Sequence, residues 1–301
     1  MDTFQYLTGE IALDHADGLL TRREALRRLG VMGVSGTAAV GLLAACGGSP
    51  GDAGDAGAGG PSGVTTGTAA PGATTTAGAG TSAITFPGPS GTLQGAWAPA
   101  APVKGAVLVV HENRGLTDHI RSVAARLAGD GYSALAIDLL SGEGGTASFS
   151  DPAQATAALG RIGLGRFVAD MKAGLDELAR RHPGVKLGAM GFCFGGSMTW
   201  NLVGSGDARL AAAVPFYGTV DAPDFSGSRA AVLGIYAGDD DRVNATRDTA
   251  RAALERARLT HELRNFPGVG HAFFNDTGGR YAAAAAGEAY KAVLDWFGRH
   301  L

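Results

Sequence analysis

Gly191-Phe192-Cys193-Phe194-Gly195-Gly196 follows the apolar run Val185–Met190 and precedes Ser197–Val203. That order reads as strand, sharp turn, helix. The pattern Gly-x-nucleophile-x-Gly describes an elbow that lifts a reactive side chain above an α/β sheet on a strained turn. Flanking glycines allow a backbone approach that a Cβ would block. Here cysteine holds the nucleophile position. The alternative is a buried Cys serving as a small hydrophobe at a Gly-rich strand end, so the choice rests on what lies downstream.

Two further segments follow in order. Ala231–Ala237 reads as a strand and runs into Gly238-Asp239-Asp240-Asp241-Arg242-Val243. Thr260–Phe266 reads as another and runs into Pro267-Gly268-Val269-Gly270-His271-Ala272-Phe273. An acid and a histidine thus each fall just past a strand end, where α/β sheets place functional loops. Nucleophile, acid, histidine is the triad order of α/β-hydrolases. A lone histidine beside glycines would be a solvated loop residue. With an elbow and an acid upstream, the catalytic reading is favoured.

At these residues the chain resembles the dienelactone hydrolase family. The likeness rests on His111-Glu112-Asn113-Arg114-Gly115-Leu116, on Ala128 to Leu139 (with Tyr132 and Asp138), on Gly191 to Gly196, on Tyr236 to Ala245, and on Gly270 to Asn275. It runs from about Ile84 to Leu301. The resemblance implies an α/β-hydrolase fold and a Cys193–Asp240–His271 triad. The family places its acid three residues before the valine of the fourth motif, here Val243, which selects Asp240 over Asp239 and Asp241. It also implies that Glu112 sits against the resting thiol and is displaced when substrate binds.

The chemistry accounts for the residue types. A thiol becomes a strong nucleophile as thiolate, and an imidazole can take its proton. His271 would be that base and later the acid, with Asp240 holding its tautomer. The Phe194 N–H, opening the elbow helix, would face the developing oxyanion. The Asn113 N–H, in the loop after the Ala106–Val110 strand, is the candidate second donor. One departure matters. Family members acting on dienelactones carry an arginine four residues after the histidine to bind the substrate carboxylate. Asn275 stands there and lacks a charged bidentate fork. Arg280, Arg161 and Arg166 are candidate replacements, each with a solvated surface charge as its alternative. The expected function is cysteine-dependent hydrolysis of small carboxylic esters or lactones. A non-catalytic lipoprotein using the fold as a binding module is the other class of reading.

The beginning of the chain points to export. Arg22-Arg23 precedes an uncharged Gly/Ala-rich stretch from Leu29 to Ala45, which resembles a Tat signal. That stretch is short and weakly apolar for a span of about 20 residues. It ends in Leu43-Ala44-Ala45-Cys46-Gly47, which resembles a bacterial lipobox, so Cys46 is the expected lipid-attachment site. A retained N-terminal anchor is the alternative. Gly47 to about Ser82 is nearly all Gly, Ala, Ser, Thr, Pro and Asp, a composition that behaves as a flexible tether. The expected organisation is a signal over 1–45, a linker over 46–83 and a catalytic domain over 84–301. The expected location is the outer face of the bacterial cell membrane, or the periplasm.

The final segment is long enough for one α/β domain. Strands are expected near Leu93–Ala98, Ala106–Val110, Ser133–Ile137, Lys186–Met190, Ala211–Phe216, Val232–Ala237 and Glu262–Phe266. Helices are expected over Ile120–Ala128, Gly165–Arg181, Ser197–Val203, Ala245–Arg258 and Ala282–Phe297. The alternation favours a mainly parallel sheet covered on both faces. Trp97, Trp200 and Trp296 are expected in the core. A net charge of −3 gives nucleic-acid binding no support. Cysteine and histidine show no zinc-ligand spacing, so no metal, no cofactor and no disulfide are expected, and a monomer is.

Overall fold

The computed structural model describes residues 2–16, 18–46, 80–221 and 223–301. Most of the linker expected over 46–83 lies outside the described residues. Eight strands form one sheet in the order β1-β2-β4-β3-β5-β6-β7-β8. These are β1 Ser82–Gly88, β2 Gly91–Ala98, β3 Gly105–Val110, β4 Tyr132–Asp138, β5 Leu187–Phe192, β6 Leu210–Phe216, β7 Ala231–Ala237 and β8 His261–Phe266. β1 and β2 pair antiparallel, as do β2 and β4; every later pairing is parallel. β3, β4, β5 and β7 are buried along their whole length, as parallel strands covered on both faces must be. This is the expected mainly parallel α/β architecture. Trp97, Trp200 and Trp296 are all buried in it.

The parallel register sets the functional edge. Val110 pairs with Gly191, Phe192 with Phe216, Phe216 with Ile235 and Ala237 with Phe266. The C-terminal ends of β3, β5, β7 and β8 therefore open on one side, and the loops that follow them meet there. An aromatic cluster binds two of these loops. Phe274 packs against Phe192 and Phe216, each at 5.1 Å between ring centroids, while Phe192 and Phe216 lie 4.7 Å apart. Such pairs add about 0.5–1.5 kcal/mol each beyond area burial. The loop after β8 is thereby pinned to the strand that leads into Cys193.

Helices α4 Asp118–Gly129, α6 Leu164–Arg181, α7 Phe194–Gly204 and α10 Ala283–His300 match the expected ones to within a few residues. The helix expected over Ala245–Arg258 is instead two, α8 Asp241–Asn244 and α9 Arg247–Arg256. Asp240 caps the first, its Oδ1 accepting from the Val243 N–H at 3.2 Å. α5 Pro152–Leu159 and β1 did not figure in the sequence reading. α5 carries Asp151 as N-cap and a proline in its first turn, both ordinary start signals.

Among the described residues three helices precede β1: α1 Thr3–Ala16, α2 Arg22–Val31 and α3 Gly36–Cys46. α2 begins with Thr21, whose side chain accepts from the Glu24 N–H at 3.2 Å; Thr-x-x-Glu is the capping-box spacing. Arg22 and Arg23 are exposed in its first turn, and the Leu43–Cys46 stretch closes α3. Among the described residues no helix is long and apolar enough to cross a membrane. These helices are not separate from the rest. They pack on one another, α1 and α2 also pack on α5, and Arg27 bridges to Asp151 at 2.7 Å.

Candidate active site

Cys193 sits between β5 and α7 with φ 56° and ψ −118°, a left-handed strained conformation that a non-glycine residue rarely adopts. Its own N–H donates to the Phe216 carbonyl at 3.1 Å, and its carbonyl accepts from the Ser197 N–H at 3.1 Å. The glycines make the turn possible. A Cβ on Gly191 would run into the Gly195 carbonyl, and one on Gly195 into the carbonyls of Val110 and His111. The elbow therefore lies in direct backbone contact with the end of β3. Phe194 opens α7, where the first N–H groups lack an intrahelical acceptor.

Asp240 and His271 meet beside it. His271 Nδ1 lies 2.5 Å from Asp240 Oδ2, and both residues are buried. Asp239 and Asp241 are exposed, so only the middle aspartate of the run faces the ring. A ring nitrogen of His271 and Sγ of Cys193 lie within 4.8 Å of each other. Burial opposes charge on His271, but the negative charge at Cys193 and the hydrogen-bonded Asp240 outweigh it and push its pKa up to about 9. The Tyr217 ring packs 5.0 Å from the imidazole and limits how it can turn.

Opposite Sγ stands a residue the sequence reading did not single out. Glu10 of α1 places Oε2 at 3.5 Å from Cys193 Sγ and 3.2 Å from His271 Nε2. Tyr6, one turn earlier, directs its hydroxyl at Sγ from 3.6 Å. Burial first, and then the charge at Cys193, hold the Tyr6 hydroxyl well above the ordinary phenol range, so it remains a donor. Arg242 pairs with Glu10 and lies over the Tyr6 ring at 4.6 Å. Glu10 is separated from Cys193 by 183 positions, a distance no local motif spans. The i, i+4, i+8 spacing of Tyr6, Glu10 and Asp14 puts them on one helical ridge, but no pattern in the sequence places that ridge against the thiol.

Glu112 is placed differently from the family expectation. Its Oε2 accepts from Asn275 Nδ2 at 2.6 Å. Among the described residues, the carboxylate within hydrogen-bond reach of Sγ is that of Glu10. Asn275, standing where the family's arginine would be, anchors Glu112 instead of facing solvent. The loop carrying Glu112 and Asn113 is stiffened from below. His111 Nδ1 donates to the Glu112 carbonyl at 2.6 Å, Nε2 accepts from the Leu139 N–H at 3.1 Å, and burial lowers its pKa, keeping the ring neutral. The Asn113 carbonyl accepts from Thr156 at 2.8 Å.

A cavity of about 300 Å³ opens beside these groups. Cys193, His271, Glu112, Asn113 and Asn275 line it from the catalytic domain, and Glu10 and Asp14 from α1. Arg280 also lines it and pairs with Asp14 at 2.8 Å, so it is not the solvated surface charge offered as its alternative. Arg166 is engaged by Glu143 at 2.8 Å and Arg161 is exposed; neither lines this cavity. Glu10, Cys193 and His271 form an O, S, N donor set of a kind that suits zinc. Sequence spacing gave no hint of it, because α1 supplies the third donor.

Residues 95–301 match the model of the dienelactone hydrolase family. A protein of Escherichia coli (strain K12) named for carboxymethylenebutenolidase activity is 32% identical over 205 residues, covering 64% of this chain and 75% of its own length. One of the same name from Saccharolobus solfataricus is 30% identical over 230 residues, covering 64% of this chain and 89% of its own length. Among solved structures, one described as a dienelactone hydrolase from Klebsiella pneumoniae superposes with a TM-score of 0.66 at 27% identity. It covers 73% of this chain and 98% of its own. The matched region takes in the elbow, the acid loop and the histidine loop, and α1–α3 fall outside it. The chain is thus a hydrolase on the α/β-hydrolase fold and belongs to the dienelactone hydrolase family.

Proposed function

We propose that this chain is a cysteine-dependent hydrolase of small carboxylic esters or lactones, with Cys193 as nucleophile, His271 as base and acid, and Asp240 as the orienting carboxylate. The observation that carries the reading is the 2.5 Å contact between His271 Nδ1 and Asp240 Oδ2, with Nε2 turned to the thiol side. In the first half-reaction His271 Nε2 takes the Cys193 proton and Sγ adds to the ester carbonyl carbon. The tetrahedral oxyanion receives the N–H groups of Phe194 and Asn113. As it collapses, the C–O bond breaks and His271 returns the proton to the leaving alkoxide, giving a thioester. In the second half a water attacks the thioester through the same base, and the acid product leaves with Sγ as thiol. Glu112 and Asn275 form a polar wall of the acyl pocket. Asn275 adds no charge there, and Arg280, which lines the cavity, is engaged by Asp14 while α1 is seated, so the reading stops at small esters and lactones in general.

Turnover of p-nitrophenyl acetate by the full chain, compared with Cys193→Ala, tests the assignment. Loss of turnover in the variant is the expected result. Equal turnover by both would remove Cys193 from the mechanism, and no turnover by either, in the full chain and again with Glu10→Ala, would favour a binding module. We also propose export and lipid attachment at Cys46, supported by the exposed Arg22-Arg23 pair and the Leu43–Cys46 stretch at the end of α3.

A further inference from the structure

We propose that α1 is an internal occupant of the active site, with the Glu10 carboxylate seated where the acid product of ester cleavage would lie, and that the enzyme is latent while this helix is docked. The inference rests on the hydrolase reading for what is being blocked, and on geometry for the block itself. Glu10 Oε2 touches both Cys193 Sγ, at 3.5 Å, and His271 Nε2, at 3.2 Å. Those two atoms must face the scissile carbonyl and its leaving oxygen, so a carboxylate between them takes the reacting group's place. Cys193 and His271 are 4% and 5% exposed with α1 seated.

The helix is fitted to the site along a whole ridge. Tyr6, Glu10 and Asp14 succeed one another at four-residue spacing and therefore share a face. Tyr6 gives its hydroxyl to Sγ and its ring to the Arg242 guanidinium. Glu10 also pairs with Arg242, and Asp14 with Arg280 at 2.8 Å. Leu7 and Ile11, on the flank of that ridge, are buried and part of the apolar core. α2, in turn, is held by Arg27 on Asp151. Acidic helix and basic rim complement one another, and the contacts are charge-assisted, the stronger class of hydrogen bond. Burying Glu10 without such partners would be prohibitive.

Latency predicts that weakening the helix frees the thiol. The full chain is compared with Glu10→Ala and with Asp14→Ala by two readouts: the second-order rate of Cys193 alkylation by iodoacetamide, and kcat/KM for p-nitrophenyl acetate. Asp14→Ala removes only the distal anchor, and so keeps the test open if Glu10→Ala fails to fold. Both rates should rise at least about tenfold, since accessibility scales with the undocked fraction. Alkylation that rises while no variant turns over ester would support the docked helix and sink the hydrolase reading instead. Unchanged alkylation in both folded variants would overturn the proposal. So would a fall in turnover with unchanged alkylation, which would make Glu10 a participant in the reaction.

Discussion

Asp240→Asn is the change whose size follows most directly from the site. The carboxylate serves two masters: Oδ1 caps α8 through the Val243 N–H, and Oδ2 accepts from His271 Nδ1. An asparagine can keep the first contact, so the helix and fold should persist. At the second it presents an amide N–H to a ring N–H, and the ring escapes by moving its proton to Nε2, where it can no longer act as base. Losing Asp240 removes a hydrogen bond and a charge that help hold His271 above its ordinary value, and the tautomer error carries the cost toward the ~10⁴-fold of a serine triad. We expect kcat/KM on p-nitrophenyl acetate to fall by about 10²–10⁴-fold, less than in a serine enzyme to the extent that a thiol ionises more readily. Asp239→Asn and Asp241→Asn, both at exposed positions, should stay within about threefold, as surface charges usually do. The series is run in the full chain and again with Glu10→Ala, so that helix docking does not mask it. An Asp240→Asn protein with native circular dichroism and turnover within about threefold of the parent would refute the triad, by the same measure.

Other outcomes follow from the same contacts. Because the folded pKa of His271 lies above its ordinary value, its contribution to stability is fully present below about pH 6.5 and is lost as pH climbs through about 9. Thermal melts of the full chain should therefore fall across that window, and His271→Gln should flatten the decline; an equally steep decline in the variant would count against the assignment. Gly195→Ala should cost about 1–3 kcal/mol in urea unfolding, as overpacking does, because the new methyl meets the carbonyls of Val110 and His111. A neutral effect would show that the elbow has room. Replacing Arg22 and Arg23 together by Lys should leave precursor in the cytoplasm, and Cys46→Ala should misprocess the domain without harming its chemistry. Normal membrane fractionation of both would contradict the export reading.

The elbow, the acid loop and the histidine loop were legible because each is a short local pattern after an apolar strand. The choice of Asp240 among three neighbours came from the family pattern, which sets the acid three residues before Val243, and the structure has that residue alone of the three against the imidazole. The contact between Glu10 and the thiol was not legible, for a physical reason. It depends on how a helix outside the hydrolase domain docks, and docking is a tertiary property that neither periodicity nor motif order encodes. Glu112 is a different case: its expected place against the resting thiol came with the family resemblance, and in the structure Glu10 stands against Sγ while Glu112 accepts from Asn275.

The position of Cys46 at the end of α3 gives the docked helix a consequence for timing. If lipid attachment at Cys46 is preceded by a cut before that residue, one peptide bond separates α1, α2 and nearly all of α3 from the domain they cover. The blocking carboxylate then leaves with the address that directed transport. While it is seated, Arg22 and Arg23 still point outward from α2, so a receptor can read them on the fully folded precursor. Under this scheme a single proteolytic event would act both as arrival and as ignition. Ester cleavage would be confined to the far side of the membrane by a zymogen-like arrangement that needs no separate inhibitor.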